Sequence, residues 1–172
     1  MARDSRASAA IEFALLFPVM VLLYIGSVET GNLLTIDRRV AQVASTAADL
    51  TAQVKTVSTS DLGDVTSAAS SIMTPYSTTP LKIVISSIVA DQNNIGKVAW
   101  SYANKGAPRA VGSVYSVPAG LTQAGSSVIL AEVTYAFTPL VNMPKFFSPG
   151  AFNITRTFYE RPRKSLTVAK TN

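Results

Sequence analysis

Between Glu12 and Glu29 the chain runs from Phe13 to Val28 without a charged residue. A helix from Ala7 to Val28 would reach about 33 Å at about 1.5 Å per residue, enough to cross a hydrocarbon core about 30 Å thick. One membrane span is therefore the reading that constrains everything after it. Glu12 would lie one turn inside that span, where a carboxylate is costly unless it reaches the interface or meets a partner. Two other readings fit less well. A secretory signal peptide matches the basic start at Arg3 and Arg6, but Glu12 interrupts its apolar stretch. It also lacks an Ala-x-Ala site, having Tyr24-Ile25-Gly26-Ser27-Val28-Glu29 instead. A buried core helix would need a polar face, and this run has none.

The residues from Arg6 to Pro18, reading Arg-Ala-Ser-Ala-Ala-Ile-Glu-Phe-Ala-Leu-Leu-Phe-Pro, carry a more specific signal. They resemble the amino terminus of TadE/TadG-like proteins, minor-pilin-like components of bacterial tight-adherence (Tad, Flp) pilus systems. The resemblance implies a short basic leader, cleavage by prepilin peptidase after Ala7, Ser8 as the new amino terminus, and Glu12 and Phe13 at the fifth and sixth mature positions. Ala7 stands where the family more often has glycine. Weaker likeness runs through Arg38 to Ala41, Glu132 to Leu140 and Arg156 to Pro162, while residues 56–125 match nothing recognisable. The family further implies an amino terminus in the cytoplasm, a periplasmic domain, and a Glu12 carboxylate facing the new amine of an adjacent subunit. On bare physics Glu12 could equally be an interfacial charge. Pro18 removes a backbone donor and clashes with the carbonyl of Ala14, so it reads either as a plain helix kink or as a turn weakened to help the helix leave the bilayer.

Inventory removes whole classes of chemistry. The 172 residues contain neither Cys nor His, which excludes disulfides, Cys and His metal ligands, Cys nucleophiles and Ser-His-Asp relays. There is no Gly-x-Ser-x-Gly elbow and no phosphate loop. A membrane-anchored hydrolase would need a Ser/Lys or carboxylate-pair site, and the acids are scattered. The net charge of +5 is concentrated at one end: Arg156, Arg161, Arg163, Lys164 and Lys170 against Glu160 give +4, leaving +1 elsewhere. No basic face with interleaved aromatics emerges, so nucleic acid is not an expected partner. The basic end reads as a solvated tail or as a segment drawn to anionic head groups. Arg3 and Arg6 before the span balance Arg38 and Arg39 after it, so charge alone leaves the orientation open.

Beyond the span, Leu33, Ile36, Val40, Val43, Ala47, Leu50, Val54 and Val57 alternate at spacings of three and four, an apolar seam that predicts a continuing helix. The seam could pack on the chain's own sheet. Alternatively Leu33, Ile36, Val40, Val43 and Ala47 could meet neighbouring subunits, with Ala44, Ala47 and Ala48 permitting close approach. A second, short helix is predicted from a cap at Ser60 and Asp61 through Leu62, Val65, Ala69 and Ile72 to a stop at Pro75. Strands follow at Lys82 to Val89 and Lys97 to Tyr102, joined by a turn over residues 91–96. Asn104 to Gly125 reads as a long loop, mobile or a contact surface. Val128 to Phe137 alternates Ile129, Ala131, Val133, Tyr135 and Phe137 onto one face, with Glu132 and Thr134 on a half-exposed other face. A bend over Thr138 to Pro149 leads to a last strand at Phe152 to Tyr159, ended by Arg161-Pro162-Arg163.

The expected fold class is α+β, a long membrane-spanning helix followed by a small antiparallel sheet in a pilin-like layout. Its divisions are a leader over 1–7, the helix and its extension over 8–57, a periplasmic domain over 58–161 and a basic tail over 162–172. With the resemblance, the expected function is a single-pass inner-membrane minor pilin or assembly component of a Tad-type pilus. Its expected partners are the membrane, other pilins or assembly proteins and prepilin peptidase. No catalysis, cofactor, metal or small-molecule substrate is expected. The alternative is a membrane-anchored periplasmic binding or adhesive domain unrelated to pili.

Overall fold

The computed structural model describes residues 5–118, 120–139 and 150–171. The first leader residues and most of the bend expected over Thr138 to Pro149 lie outside that description. The α+β layout holds: one long helix, a short second helix and a four-stranded antiparallel sheet.

Helix α1, Ser5–Ala52, has 48 residues and runs through Pro18, so it reaches about 72 Å. Its two halves live in different surroundings. From Ala9 to Val28 every residue is exposed except the half-exposed Ile25, so apolar side chains point outward all round. From Ile36 on, one face is buried: Ile36, Val40, Val43 and Ala47 join Ile83, Ile85, Ile129 and Val133 in the main core. The helix crosses strands β4 (Ser127–Phe137) and β5 (Phe152–Glu160). Ala44, Ala48 and Ala52 are buried in the same core, where their small side chains let the helix approach the chain's own domain.

The seam leaves the helix earlier than its spacing predicts. α1 stops at Ala52, whose carbonyl accepts from the backbone N–H of Arg163 at 2.9 Å. Val54 is exposed, and Val57 is buried in a two-residue strand β1, Thr56–Val57. β1 pairs in parallel with strand β6, Ala169–Lys170. That long-range pairing keeps the heptad rhythm while replacing the helix, which a local pattern cannot register.

Helix α2, Thr59–Ser70, continues into a 3₁₀ turn over Ser71–Met73. Its cap is Ser58, not the expected Ser60. The Asp61 backbone N–H donates to Ser58 Oγ at 3.1 Å, and the Ser58 N–H donates to Asp61 Oδ2 at 2.8 Å. Asp61 is thus the third helical residue of a capping box, and the cap must stand three positions before it. Leu62 and Ala69 are buried toward the core as their spacing predicts.

Strands β2 (Leu81–Ala90) and β3 (Gly96–Asn104) complete a sheet of order β3-β2-β4-β5, antiparallel throughout. Each expected strand is present, longer by up to three residues. Ser87 pairs with Trp100 while Ile88 pairs with Val98, so a bulge falls at Ala99. It turns Val98 to the outer face and Trp100 to the helix face, although they are two positions apart.

The outer face is where expectation and structure part. Val128 and Leu130 are fully buried, joined by Ile88 and Val98 under Tyr115, Val117 and Tyr159. The cover comes from the segment read as a long loop. It folds back along β3, with hydrogen bonds from Val98 N to Ser113 O (3.0 Å), Gly112 N to Val98 O (2.8 Å) and Tyr115 N to Gly96 O (2.9 Å). A Cβ at position 96 would stand 2.7 Å from Tyr115 O, so this contact requires glycine.

The terminal segment is not a solvated tail. Trp100 Nε1 donates to Val168 O at 2.7 Å, Val168 is buried, and Ser127 N donates to Leu166 O at 2.9 Å. Its positive charges are partly committed as well, since Arg163 bonds to Asp49 on α1 and lies 3.4 Å from Glu160.

Candidate functional site

The amino-terminal half of α1 carries the residues singled out by sequence. Ala7 and Ser8 fall in its opening turns. Glu12 follows on the exposed helix, and Phe13 sits one turn below Phe17 with ring centroids 5.6 Å apart. Pro18 lies inside the continuous helix. Farther along, hydroxyls turn back onto their own helix: Ser27 donates to Tyr24 O (2.7 Å), Thr30 to Gly26 O and Thr35 to Gly31 O (2.8 Å each). A hydroxyl so satisfied is tolerable near hydrocarbon. By length and composition α1 can cross a membrane, and it is the one such helix among the described residues.

Where the helix meets the domain, charges fasten it. Asp37 pairs with Arg156 on β5 at 2.5 Å. Arg39 donates to the carbonyls of Ile72 (2.5 Å) and Thr74 (2.6 Å), with its guanidinium 5.6 Å from the Tyr76 ring centre. Span and domain are joined by one continuous helix. Of the residues offered for a neighbouring subunit, Ile36, Val40, Val43 and Ala47 are taken up by the chain's own sheet, and Leu33 is half-buried against the same core. Leu34 remains exposed on the helix.

A model of one protein family, described as TadE-like protein, matches residues 7–49. Over that stretch the chain is similar to TadE-like proteins. The matched stretch starts at the expected leader junction, takes in the whole uncharged run, and ends on the buried half of α1 before β1 begins. The TadE-like segment thus coincides with the helix, and the sheet lies beyond it. No curated protein and no solved structure matches the chain. Among the described residues no three acidic side chains come together to hold a metal ion.

Sequence reasoning missed one polar cluster. Arg109 grips Glu132 through Nε (2.7 Å) and Nη2 (2.6 Å), and lies 4.6 Å from the Tyr115 ring centre, while the Tyr115 and Tyr159 hydroxyls meet at 2.9 Å. The hydrogen bond to Glu132 raises the Arg109 pKa, and burial raises that of Tyr115, so the guanidinium stays charged and the phenol neutral. Both protonation states suit a latch holding the folded-back segment on the sheet. Arg109 lies among loop residues, and nothing in its neighbourhood announces a partner 23 positions away.

Proposed function

We propose that this protein is a single-pass minor pilin or assembly component of a Tad-type pilus, held in the inner membrane by the first half of α1. The supporting observation is the coincidence of the TadE-like match over residues 7–49 with a helix whose apolar half is exposed on every side. In this reading the leader Met1 to Ala7 faces the cytoplasm, prepilin peptidase cuts between Ala7 and Ser8, and the sheet domain stands in the periplasm. Glu12 then meets the amine of a neighbouring subunit's Ser8, because each charge is poorly solvated in lipid without the other. Pro18 weakens the hydrogen-bond ladder beside that pair, easing the exit of the helix from the bilayer.

The test is made in cells that assemble the pilus. Removing the gene should reduce surface filaments, and the wild-type gene should restore them. Intact mass of the restored protein should show loss of Met1 to Ala7, and Ala7→Leu should block that loss. Normal filaments in the deletion strain would reject the assignment. A mature terminus near Val28 would instead make the run a signal peptide.

A further inference from the structure

The two ends of the domain are distinguishable. Asp37 meets Arg156 in the middle of β5, whereas Asp49 and Ala52, about 20 Å farther along α1, meet Arg163 beyond its end. The start of β4 and the end of β5 therefore form the end remote from the span. A surface pocket of about 170 Å³ opens there, lined among others by Gln123, Ser127, Arg161, Pro162 and Leu166.

Three features of that pocket are left unexplained by the fold. Ser127 is 2% exposed, yet its hydroxyl has no hydrogen-bond partner, an arrangement that costs free energy unless something fills it. The Arg161 guanidinium is fixed by donation from Nε to Leu121 O at 2.9 Å and from Nη2 to Gly120 O, which leaves Nη1 without an acceptor among the described residues. The lining holds this one cation and no acidic side chain. Glu160, the adjacent carboxylate, is engaged with Arg163.

We propose that this membrane-distal pocket binds a single carboxylate. One oxygen would accept from Arg161 Nη1 and one from the Ser127 hydroxyl after a turn about its χ1 out of the sealed position it holds, with Gln123 as a further donor and the carbon stem against Pro162 and Leu166. A single fixed cation suits a monoanion better than a phosphate dianion, which draws on several donors of positive charge. The volume suits a carboxylate on a short stem, carried either by a small molecule or by a glutamate side chain of another protein. This inference stands apart from the pilus assignment.

The experiment uses full-length, ¹⁵N-labelled protein in nanodiscs, titrated with sodium propionate, with the blocked tripeptide acetyl-Gly-Glu-Gly-amide, and with sodium phosphate and sodium chloride at matched ionic strength. Propionate or the tripeptide should move the Ser127 and Gln123 amide signals saturably in the millimolar range, and chloride should not. Preference for propionate assigns a free carboxylate, and preference for the tripeptide assigns an acidic side chain. Ser127→Ala removes a hydroxyl that makes no bond in the fold and should weaken binding about tenfold or more with the spectrum otherwise retained. The proposal is overturned if neither carboxylate saturates, if phosphate or chloride acts equally well, or if Ser127→Ala binds as wild type.

Discussion

At Glu12 the chain places a carboxylate on an exposed face of a helix whose next sixteen residues carry no charge. Such a group is costly in lipid, so replacing it with alanine should ease insertion, not hinder it. Glu12→Ala should therefore leave expression and membrane insertion near wild type while reducing crosslinks to partner pilins and filament number. Unchanged crosslinks and filaments would reduce Glu12 to an interfacial charge. Asp61 makes a different use of its charge. The Ser58 backbone N–H, then the Ser58 hydroxyl, hold its carboxyl below the ordinary aspartate range. Because the folded value is the lower one, this contribution to stability is present above the unfolded aspartate pKa of about 3.9 and fades as pH falls through the folded value. The thermal midpoint of the domain should fall as pH drops below about 4, and Asp61→Asn should lower the midpoint at pH 7 and flatten part of that acid slope. An unchanged slope would mean other carboxylates, such as the similarly held Asp91, carry it alone.

Among the elements, legibility followed the range of the interactions. α1 and the alternating face of β4 could be read because their periodicities are local: Ile36, Val40, Val43 and Ala47 bury as spaced, and so do Ile129, Ala131, Val133 and Tyr135. The places that could not be read all depend on partners distant in the chain. Val57 is buried through β6, more than a hundred residues on. Val128 and Leu130 are covered because the segment around Tyr115 returns over them, and Arg109 finds Glu132 only once that return is made. The motif singles out the residues proposed for processing, whereas the Ser127 and Arg161 pocket has no sequence signature. The terminal segment gives the sharpest test, since composition favoured a solvated tail and the structure buries Val168 beneath the chain's one tryptophan, Trp100. Deleting Thr167 to Asn172 removes that apolar side chain, strands the indole N–H and unpairs β1. Together these should cost several kcal/mol, about 10 °C in thermal midpoint for a domain of this size. Trp100 emission should shift to the red. An unchanged midpoint and spectrum would show that the segment contributes nothing to the fold.

For the whole molecule, the decisive property is that one helix serves two solvents. The first half of α1 exposes Ile11, Phe13, Leu15, Leu16 and Leu23 outward, with nothing among the described residues to cover them. Its second half supplies one wall of the domain core. The division falls between Val28 and Leu33, so a cut at Gly31 should separate anchor from domain at the expense of one half-buried side chain beyond Val28, Glu29. Two outcomes follow from that boundary. The full-length protein should stay in the membrane pellet through alkaline carbonate extraction, because the exposed apolar run exceeds what a peripheral contact would need. A chain beginning at Gly31 should be soluble and fold cooperatively, because Ile36, Val40, Val43 and Ala47 retain the sheet they pack on, and Arg39, Asp37 and Asp49 retain their partners. Release of the intact protein into the carbonate supernatant would remove the span. A Gly31 chain that aggregates or unfolds without cooperativity would show instead that the domain draws stability from residues 1–30, where Ile25 and Glu29 are the half-buried residues of the described stretch from Ala9.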